Sequence, residues 1–210
     1  PRDPERIREE LADYYALITH LDAQVGRILA TLRATGRAEN TLVVFAADNG
    51  LALGQHGLLG KQNLYEHSIR VPMIWAGPGI PKNQQRPALV YLHDVYPTLC
   101  ELAGIRPPAS VESKSLVPAL RNASVVIHPT QYFSYGKVQR ALRDDRYKLI
   151  EYVVKGTRTT QLFDEKADPL ELSNLASDPR QAGRVKAMRA ALVKTRRAEG
   201  DTTAAFWKEF

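Results

Sequence analysis

The stretch Ala46–Pro72, AADNGLALGQHGLLGKQNLYEHSIRVP, places an acid, an amide, two histidines and a lysine in one connection. It begins at the end of TLVVFAA, 41–47, an apolar and β-branched run that is typical of a strand buried on both faces of a parallel sheet. It ends at VPMIWAGPGIP, 71–81, which predicts a second short buried strand followed by turn residues. Ligands gather at the carboxyl ends of strands in open α/β sheets, so this connection is the expected place for a binding site.

The residues before this connection predict a long helix. Apolar side chains recur at spacings of three and four over 5–35, and Gly36 is a natural stop. A second helix is predicted within Leu89–Ala103, with Asp94 as its N-cap. Helices that alternate with buried strands predict an α/β layer.

The pattern changes near residue 125. Four short runs rich in β-branched and aromatic residues predict a small antiparallel sheet: TQYFSYG, VQRALRDD, YKLIEYVV and TTQLFDE. Asp178 and Pro179 then begin a basic helix. The sequence therefore predicts the C-terminal part of an α/β domain at 1–125 and, at 126–210, a small subdomain of antiparallel strands and a basic terminal helix.

The net charge of +6 has a local origin. Seven lysines or arginines and no acid lie in 179–197, whereas the other 22 of the 29 basic residues are balanced by 23 acidic ones. A solvated helix face explains this pattern, and a surface for an anionic polymer is the alternative. No aromatic residue is interleaved there to stack on bases, so we expect no nucleic-acid partner. No apolar run is long enough to span a bilayer, so we expect no membrane span.

An acid and an amide, Asp48 and Asn49, directly follow the first predicted strand. Adjacent carboxylate and carboxamide oxygens suit a hard cation such as Ca²⁺ or Mg²⁺. A calcium shell needs six to eight oxygens, so further ligands must come from elsewhere. By itself, however, Asp-Asn-Gly also fits an ordinary turn.

The segments AADNG, LGQHGLLGK and LYEHSIRVPMI, taken in order, resemble the sulfatase family of the alkaline-phosphatase superfamily. Gln55 stands where the family usually has Glu, and Met73 where it usually has Leu. The resemblance extends to YYALITHLDAQVGRIL, LHDVYPTLCELAGI, RALRDDRYKLIEY and QLFDEKADPLELSNLA. It implies part of an alkaline-phosphatase-like sandwich with a mostly parallel sheet, followed by a small α+β subdomain with an antiparallel sheet.

The resemblance also implies roles for individual residues. Asp48 and Asn49 match a pair of divalent-metal ligands, usually for Ca²⁺. Lys61 matches the lysine that contacts the sulfate oxygens, and His56 either contacts substrate or helps the loop to fold. We interpret Tyr65, Glu66 and Arg70 as residues that fix the loop.

The nucleophile of the family is not found in this chain. It is a formylglycine made within Cys/Ser-x-Pro-x-Arg, and Cys100 is followed by ELAG, so we interpret Cys100 as a core residue. The chain therefore resembles the C-terminal half of a sulfatase and is expected to be inactive alone. Uncovered strand edges and apolar surface predict a homodimer or association with the absent N-terminal half. Family members are commonly periplasmic, secreted or lysosomal, and the sequence leaves the compartment open.

Two other functions remain open at this point. A phosphonate or phosphate monoester hydrolase of the same superfamily has the same acid and lysine spacing. A non-catalytic module for anionic glycans would use the basic helix, chiefly through Arg184, Lys186, Arg189 and Lys194. The expected substrate of the main interpretation is a sulfated small molecule or glycan.

Overall fold

The computed structural model describes residues 3–208. The chain forms two compact units. The N-terminal unit contains the residues up to Lys61 together with Arg70–Gln85, and the C-terminal unit contains Gln62–Ile69 together with the residues from Arg86 onward. The domain boundary predicted near residue 125 stays a prediction. Within the C-terminal unit, Arg86 donates to the carbonyl of Leu120.

The long helix α1, Pro4–Ala34, confirms the helix predicted at 5–35. Asp3 caps it by accepting a hydrogen bond from the Glu5 amide, and Pro4 occupies the first turn, where its missing N–H costs nothing. Although α1 is amphipathic, none of its side chains is buried in the described structure. Among residues 3–208, no helix has the length and apolar character of a membrane span.

The two strands of the N-terminal unit are β1, Val43–Ala46, and β2, Met73–Ala76. They pair antiparallel, with Val43 opposite Ala76, so the mostly parallel sheet predicted from TLVVFAA is not formed by these strands. All four residues of β1 are only half-buried. The connection between the two strands, 47–72, contains a 3₁₀ turn at Gln55–Gly57 and the single-turn helix α2, Glu66–Ile69.

The turn after β2 requires a glycine. Gly77 has a φ of 135°, and a Cβ at this position would lie 2.6 Å from the carbonyl oxygen of Thr41. No side chain fits this close approach of two backbones, so the sequence AGPG fixes where β2 leaves its partner strand.

The C-terminal unit contains the predicted antiparallel sheet. Its strands follow chain order as a meander: β3 Gln131–Tyr135, β4 Gln139–Arg143, β5 Tyr147–Val154 and β6 Thr157–Asp164. Before the sheet lie two short helices, α3 at Val95–Leu102 and α4 at Val117–Arg121. After it come α5 at Ala182–Ala198 and α6 at Ala204–Trp207. The α/β class and the C-terminal sheet agree with the sequence prediction.

Alternating side chains give this sheet two apolar faces. On one face, Leu142, Leu149 and Leu162 pack with Met188 and Leu192 of α5. On the other face, a second core contains apolar residues from the sheet and two from the segment after Lys61: Ala141, Ile150, Phe163, Leu64 and Tyr65. The segment Gln62–Ile69 is therefore part of the core of the C-terminal unit, although the residues on either side of it belong to the other unit.

The predicted cap residues behave differently from each other. Asp178 caps the basic helix region as expected, because its carboxylate accepts from the Arg180 amide. Asp94 does not cap α3 with its side chain. Its buried carboxylate instead accepts from the backbone amides of Tyr91 and Lys114 and lies 2.8 Å from Nε2 of His128. Cys100 is buried, as predicted for a core residue.

Candidate active site

The residues after β1 fold back on themselves in a compact turn, 47–61. The Ala52 amide donates to the carbonyl of Gly60 at 3.1 Å, and the Gly54 amide donates to the carbonyl of Leu58 at 2.7 Å. The 3₁₀ turn Gln55–Gly57 forms the tip. This closure returns the chain to its starting point, so residues near the two ends of the turn become neighbours.

The tip of this turn has unusual backbone geometry. Four of its residues have positive φ: Leu53 at 47°, Gly54 at 98°, His56 at 53° and Gly57 at 70°. Positive φ is unfavourable for residues other than glycine, and such strain is typical of functional loops. At Gly54 a Cβ would also lie 2.9 Å from Cγ2 of Ile7 in α1, so this glycine lets the turn approach the helix.

The structure brings Lys61 and Asn49 together. Nζ of Lys61 donates to Oδ1 of Asn49 at 2.7 Å, across 12 positions of sequence. Asp48 and Lys61 are exposed, whereas Asn49 is half-buried. Asp48 Oδ1 accepts from the Asn49 amide at 2.9 Å, and Nδ2 of Asn49 donates to the Gly50 carbonyl. These bonds fix the carboxamide with its oxygen toward Lys61.

His56 lies elsewhere in the turn. It is half-buried at the tip, whereas Lys61 follows the hydrogen-bonded pair of Ala52 and Gly60 that closes the base. The four candidate residues therefore do not form one tight group within the turn. Asp48, Asn49 and Lys61 share its base, and His56 is at the opposite end.

The donor set at the base of the turn suits a hard cation only in part. A carboxamide oxygen has two lone pairs, so Asn49 Oδ1 can accept from Lys61 and still serve a cation. Within 3–208, however, no group of three or more His, Cys, Asp and Glu side chains is placed to hold a metal ion. Asp48 and Asn49 by themselves offer side-chain oxygens from only two residues, whereas a calcium shell needs six to eight oxygens.

The segment directly after Lys61 is held by charged side chains that the sequence did not predict. We refer to this group as the charged cluster: Glu66, Arg143, Lys148, Glu165 and Glu171. Lys148 Nζ lies 2.9 Å from Glu66 Oε1, 2.5 Å from Glu171 Oε1 and 3.7 Å from Glu165 Oε1. Arg143 Nη1 donates to Glu66 Oε2 at 2.7 Å. Glu66 was expected to fix the loop, but its partners are 77 and 82 positions away in sequence, beyond the reach of local patterns.

The carboxylates of the charged cluster have different protonation behaviour. Burial raises the pKa of Glu66, but Lys148 and Arg143 outweigh it and hold that pKa below its ordinary value. For Glu165, burial is the largest influence, and with the nearby carboxylates of Glu66 and Glu171 it raises the pKa to about 8 despite Lys148 and Arg143. At neutral pH the cluster therefore holds an ionised Glu66 and a predominantly protonated Glu165.

The basic helix α5 uses part of its charge inside its own unit. The guanidinium carbon of Arg184 lies 3.7 Å from the centroid of the Tyr147 ring. Arg189 donates to Glu151 at 2.8 Å and to the hydroxyl of Thr160 at 2.9 Å. Two of the four cations considered for a glycan-binding surface thus have structural partners, which weakens that alternative.

Comparison with protein families gives two matches that together span most of the chain. Residues 1–105 match the family model described as sulfatase. Residues 54–198 match the model described as the C-terminal part of N-sulphoglucosamine sulphohydrolase. The second match covers more than half of the chain and includes Lys61 and the charged cluster.

Individual proteins agree with these family matches. A choline-sulfatase from Rhizobium meliloti is 40% identical over 185 residues, which cover 84% of this chain and 35% of the relative. A solved protein bound to its substrate D-glucosamine-2-N,6-O-disulfate has a TM-score of 0.83 and 28% identity, covering 90% of this chain and 41% of that protein. A solved phosphonate monoester hydrolase of Agrobacterium radiobacter has a TM-score of 0.77 and 26% identity. The match covers 88% of this chain and 40% of that protein. The chain spans about a third of the length of the curated relatives it matches.

Proposed function

Because this chain belongs to the sulfatase family, we propose that the full-length protein containing it hydrolyses sulfate esters. A sulfate monoester carries negative charge on its non-bridging oxygens, and further charge develops on the leaving oxygen as the ester is cleaved. Fixed positive groups stabilise this charge better than water does, because they are oriented before the reaction begins. Lys61 provides such a group at the base of the turn.

In this proposal Lys61 binds the non-bridging sulfate oxygens, and Asp48 and Asn49 contribute two oxygens to a divalent cation, Ca²⁺ by resemblance to the family. The observation that carries the proposal is the 2.7 Å contact between Lys61 Nζ and Asn49 Oδ1. With Asn49 as a cation ligand, as proposed, this contact supports a site in which one anion contacts both the ammonium and the cation. When bound, such a cation supplies additional charge stabilisation.

His56 and the nucleophile complete the proposed site. The proposed role of His56 is contact with the substrate, and its half-buried position in a strained tip fits a side chain that is held for binding rather than buried in a core. The nucleophile, by family resemblance a formylglycine, lies outside this chain. Asp48, Asn49 and Lys61 therefore contribute binding and charge stabilisation, and the bond-forming group comes from elsewhere.

The substrate class follows from the relatives only at a coarse level. One is named for choline sulfate, and another was solved with a disulfated glucosamine. We therefore propose a sulfated small molecule or glycan as the substrate of the full-length protein. Assays that compare the turnover of choline sulfate with that of sulfated monosaccharides distinguish a small-molecule substrate from a glycan.

The test of the proposed function is the substitution Lys61→Ala in the full-length protein, with 4-nitrophenyl sulfate as substrate. We expect kcat/KM to fall by about 10²- to 10³-fold, as for the loss of one fixed donor to a developing negative charge. Lys82→Ala is the matched control, because Lys82 is an exposed lysine of the same unit outside the turn. Activity that is equally insensitive to both substitutions would remove Lys61 from the site.

The second candidate function is phosphonate monoester hydrolysis, supported by the similarity to the Agrobacterium radiobacter enzyme. A phosphonate monoester presents a similar set of charged oxygens to Lys61. Turnover of 4-nitrophenyl phenylphosphonate and of 4-nitrophenyl sulfate by the same preparation separates the two functions. A larger kcat/KM for the phosphonate ester would replace sulfate hydrolysis as the main activity.

A further inference from the structure

The charged cluster binds the chain just after Lys61 through both backbone and side chain. Glu171 Oε2 accepts from the Glu66 amide at 2.6 Å, while its Oε1 contacts Lys148. Lys148 and Arg143 in turn bind the two carboxylate oxygens of Glu66. The first residue of α2, Glu66, therefore makes three contacts within its own unit, with Glu171, Lys148 and Arg143.

The residues between Lys61 and Glu66 are also fixed. Gln139 donates to the carbonyl of Gln62 at 3.4 Å, and Asn63 Oδ1 accepts from the Tyr65 amide at 3.0 Å. The hydroxyl of Tyr65 is hydrogen-bonded to Gln161, and Leu64 is buried in the second core. These contacts hold Gln62–Tyr65, and Lys61 is bonded to Gln62, so we expect a shift of Glu66 to move Lys61 through the backbone.

Glu171 has a strained backbone conformation, which indicates that the position of its carboxylate is important. Its φ is 57°, in the left-handed region that costs an ordinary residue about 1–2 kcal/mol. Glycine or asparagine would adopt this conformation at lower cost. Glutamate at this turn instead directs a carboxylate that is only 2% exposed toward both Lys148 and the Glu66 amide.

The cluster has no direct access to a substrate. Lys148 is fully buried and Glu66 is 7% exposed. Replacing a buried ion pair by apolar groups of similar volume is often neutral or stabilising, so stability alone is weak grounds for such a cluster. A role in positioning Lys61 explains why the charged cluster contacts the segment that directly follows Lys61.

We propose that the charged cluster positions Lys61, with Glu66 as the positioning residue that joins the cluster to the chain beside it. The inference rests on the proposed function only for the part that Lys61 plays in the reaction. The cluster itself acts on the conformation of the turn, and this is measurable without substrate.

A double-mutant cycle on the full-length protein tests whether Glu66 acts through Lys61. Glu66→Gln is measured in the wild-type and Lys61→Ala backgrounds. We expect Glu66→Gln to lower kcat/KM for 4-nitrophenyl sulfate by about tenfold in the wild type and by less than about twofold when Lys61 is already alanine. Asp145→Asn is the matched control, because it removes an exposed carboxylate of the same unit that pairs with Lys166. An equal fold loss in both backgrounds would overturn the proposal, since a general structural defect does not depend on Lys61.

Hydrogen exchange gives a readout that does not depend on activity. In Glu66→Gln we expect faster exchange of the Ala52 and Gly54 amides in the turn, in addition to those of 62–69, and no such change in Asp145→Asn. Unchanged exchange at Ala52 and Gly54 in Glu66→Gln would overturn the positioning role. If the wild type lacks sulfatase activity, the proposed function fails, and the exchange result alone decides whether the cluster controls the turn.

Discussion

The turn at 47–61 and the charged cluster are joined by a single covalent connection, yet they are stabilised in opposite ways. The turn is largely half-buried, is closed by a few backbone hydrogen bonds and has two strained non-glycine residues of positive φ, Leu53 and His56. The cluster is almost fully buried, and each of its carboxylates faces at least one cation. This comparison indicates that one set of residues is proposed to bind the substrate and a different set fixes the position of those binding residues.

This arrangement has a physical reason. Functional residues are often carried by surface loops, and a rigid scaffold then fixes their position. A buried cluster, in contrast, has a low local dielectric, where ionic hydrogen bonds are strong and geometry is well defined. Placing Lys61 next to a buried anchor combines an accessible ammonium with a fixed backbone.

The largest expected effect on stability comes from Lys148→Met. The substitution leaves Glu66 and Glu171 buried without their common cation, and removing one partner of a buried ion pair costs about 3–5 kcal/mol. Urea unfolding of the full-length protein at pH 7 measures this loss. Lys166→Met, which removes an exposed lysine with a single carboxylate partner, is the control and should leave the urea midpoint unchanged. Similar midpoints for both variants would contradict the contrast between buried and exposed charges.

A smaller effect on stability is expected from Glu165→Gln, and it is an increase rather than a loss. The pKa of Glu165 is raised from 4.5 to about 8 in the folded protein, so between these values the folded state binds more protons than the unfolded state. The stabilisation associated with this group is present below about pH 4.5 and is lost as the pH rises through about 8. Glu165→Gln should match the wild type at pH 4.5 and have a higher Tm at pH 8, because glutamine keeps the neutral form. Parallel Tm profiles from pH 4.5 to 8.5 would show that Glu165 is not the group that titrates.

The smallest effect should come from the turn itself. Gly54→Ala introduces a left-handed alanine and a contact with Ile7, and we expect a loss of about 1–3 kcal/mol. Gly57→Ala is the matched control, since Gly57 has positive φ but nothing within 4 Å of an added Cβ. The difference between the two variants in thermal unfolding isolates the packing of α1 on the turn. If Gly57→Ala costs as much as Gly54→Ala, backbone strain alone explains both.

Local sequence patterns were sufficient for much of this molecule. The spacing of apolar side chains predicted α1 almost to the residue, and the four β-branched runs predicted the antiparallel meander. The family resemblance assigned Asp48, Asn49 and Lys61 to cation and sulfate binding; these roles stay predictions, and in the structure Lys61 contacts Asn49. These features depend on interactions within one element or one loop, so they are readable from the order of residues.

Other features depended on distant parts of the chain. TLVVF is typical of a buried parallel strand, whereas among residues 3–208 it pairs antiparallel with β2, a partner that its own composition does not specify. Asp94 was predicted as a helix cap, but its carboxylate accepts from the backbone amide of Lys114 and lies beside His128, 20 and 34 positions away.

The amino-acid sequence by itself determined the family, the elements and the residues with the chemistry to bind an anion and a cation. Only the tertiary structure decided what holds Lys61 in place, since Glu66 meets Arg143, Lys148 and Glu171 after the sheet has formed. The reason is that periodicity and motif spacing report contacts over a few residues. A buried ion pair instead depends on which side chains the folded sheet brings within about 3 Å of each other.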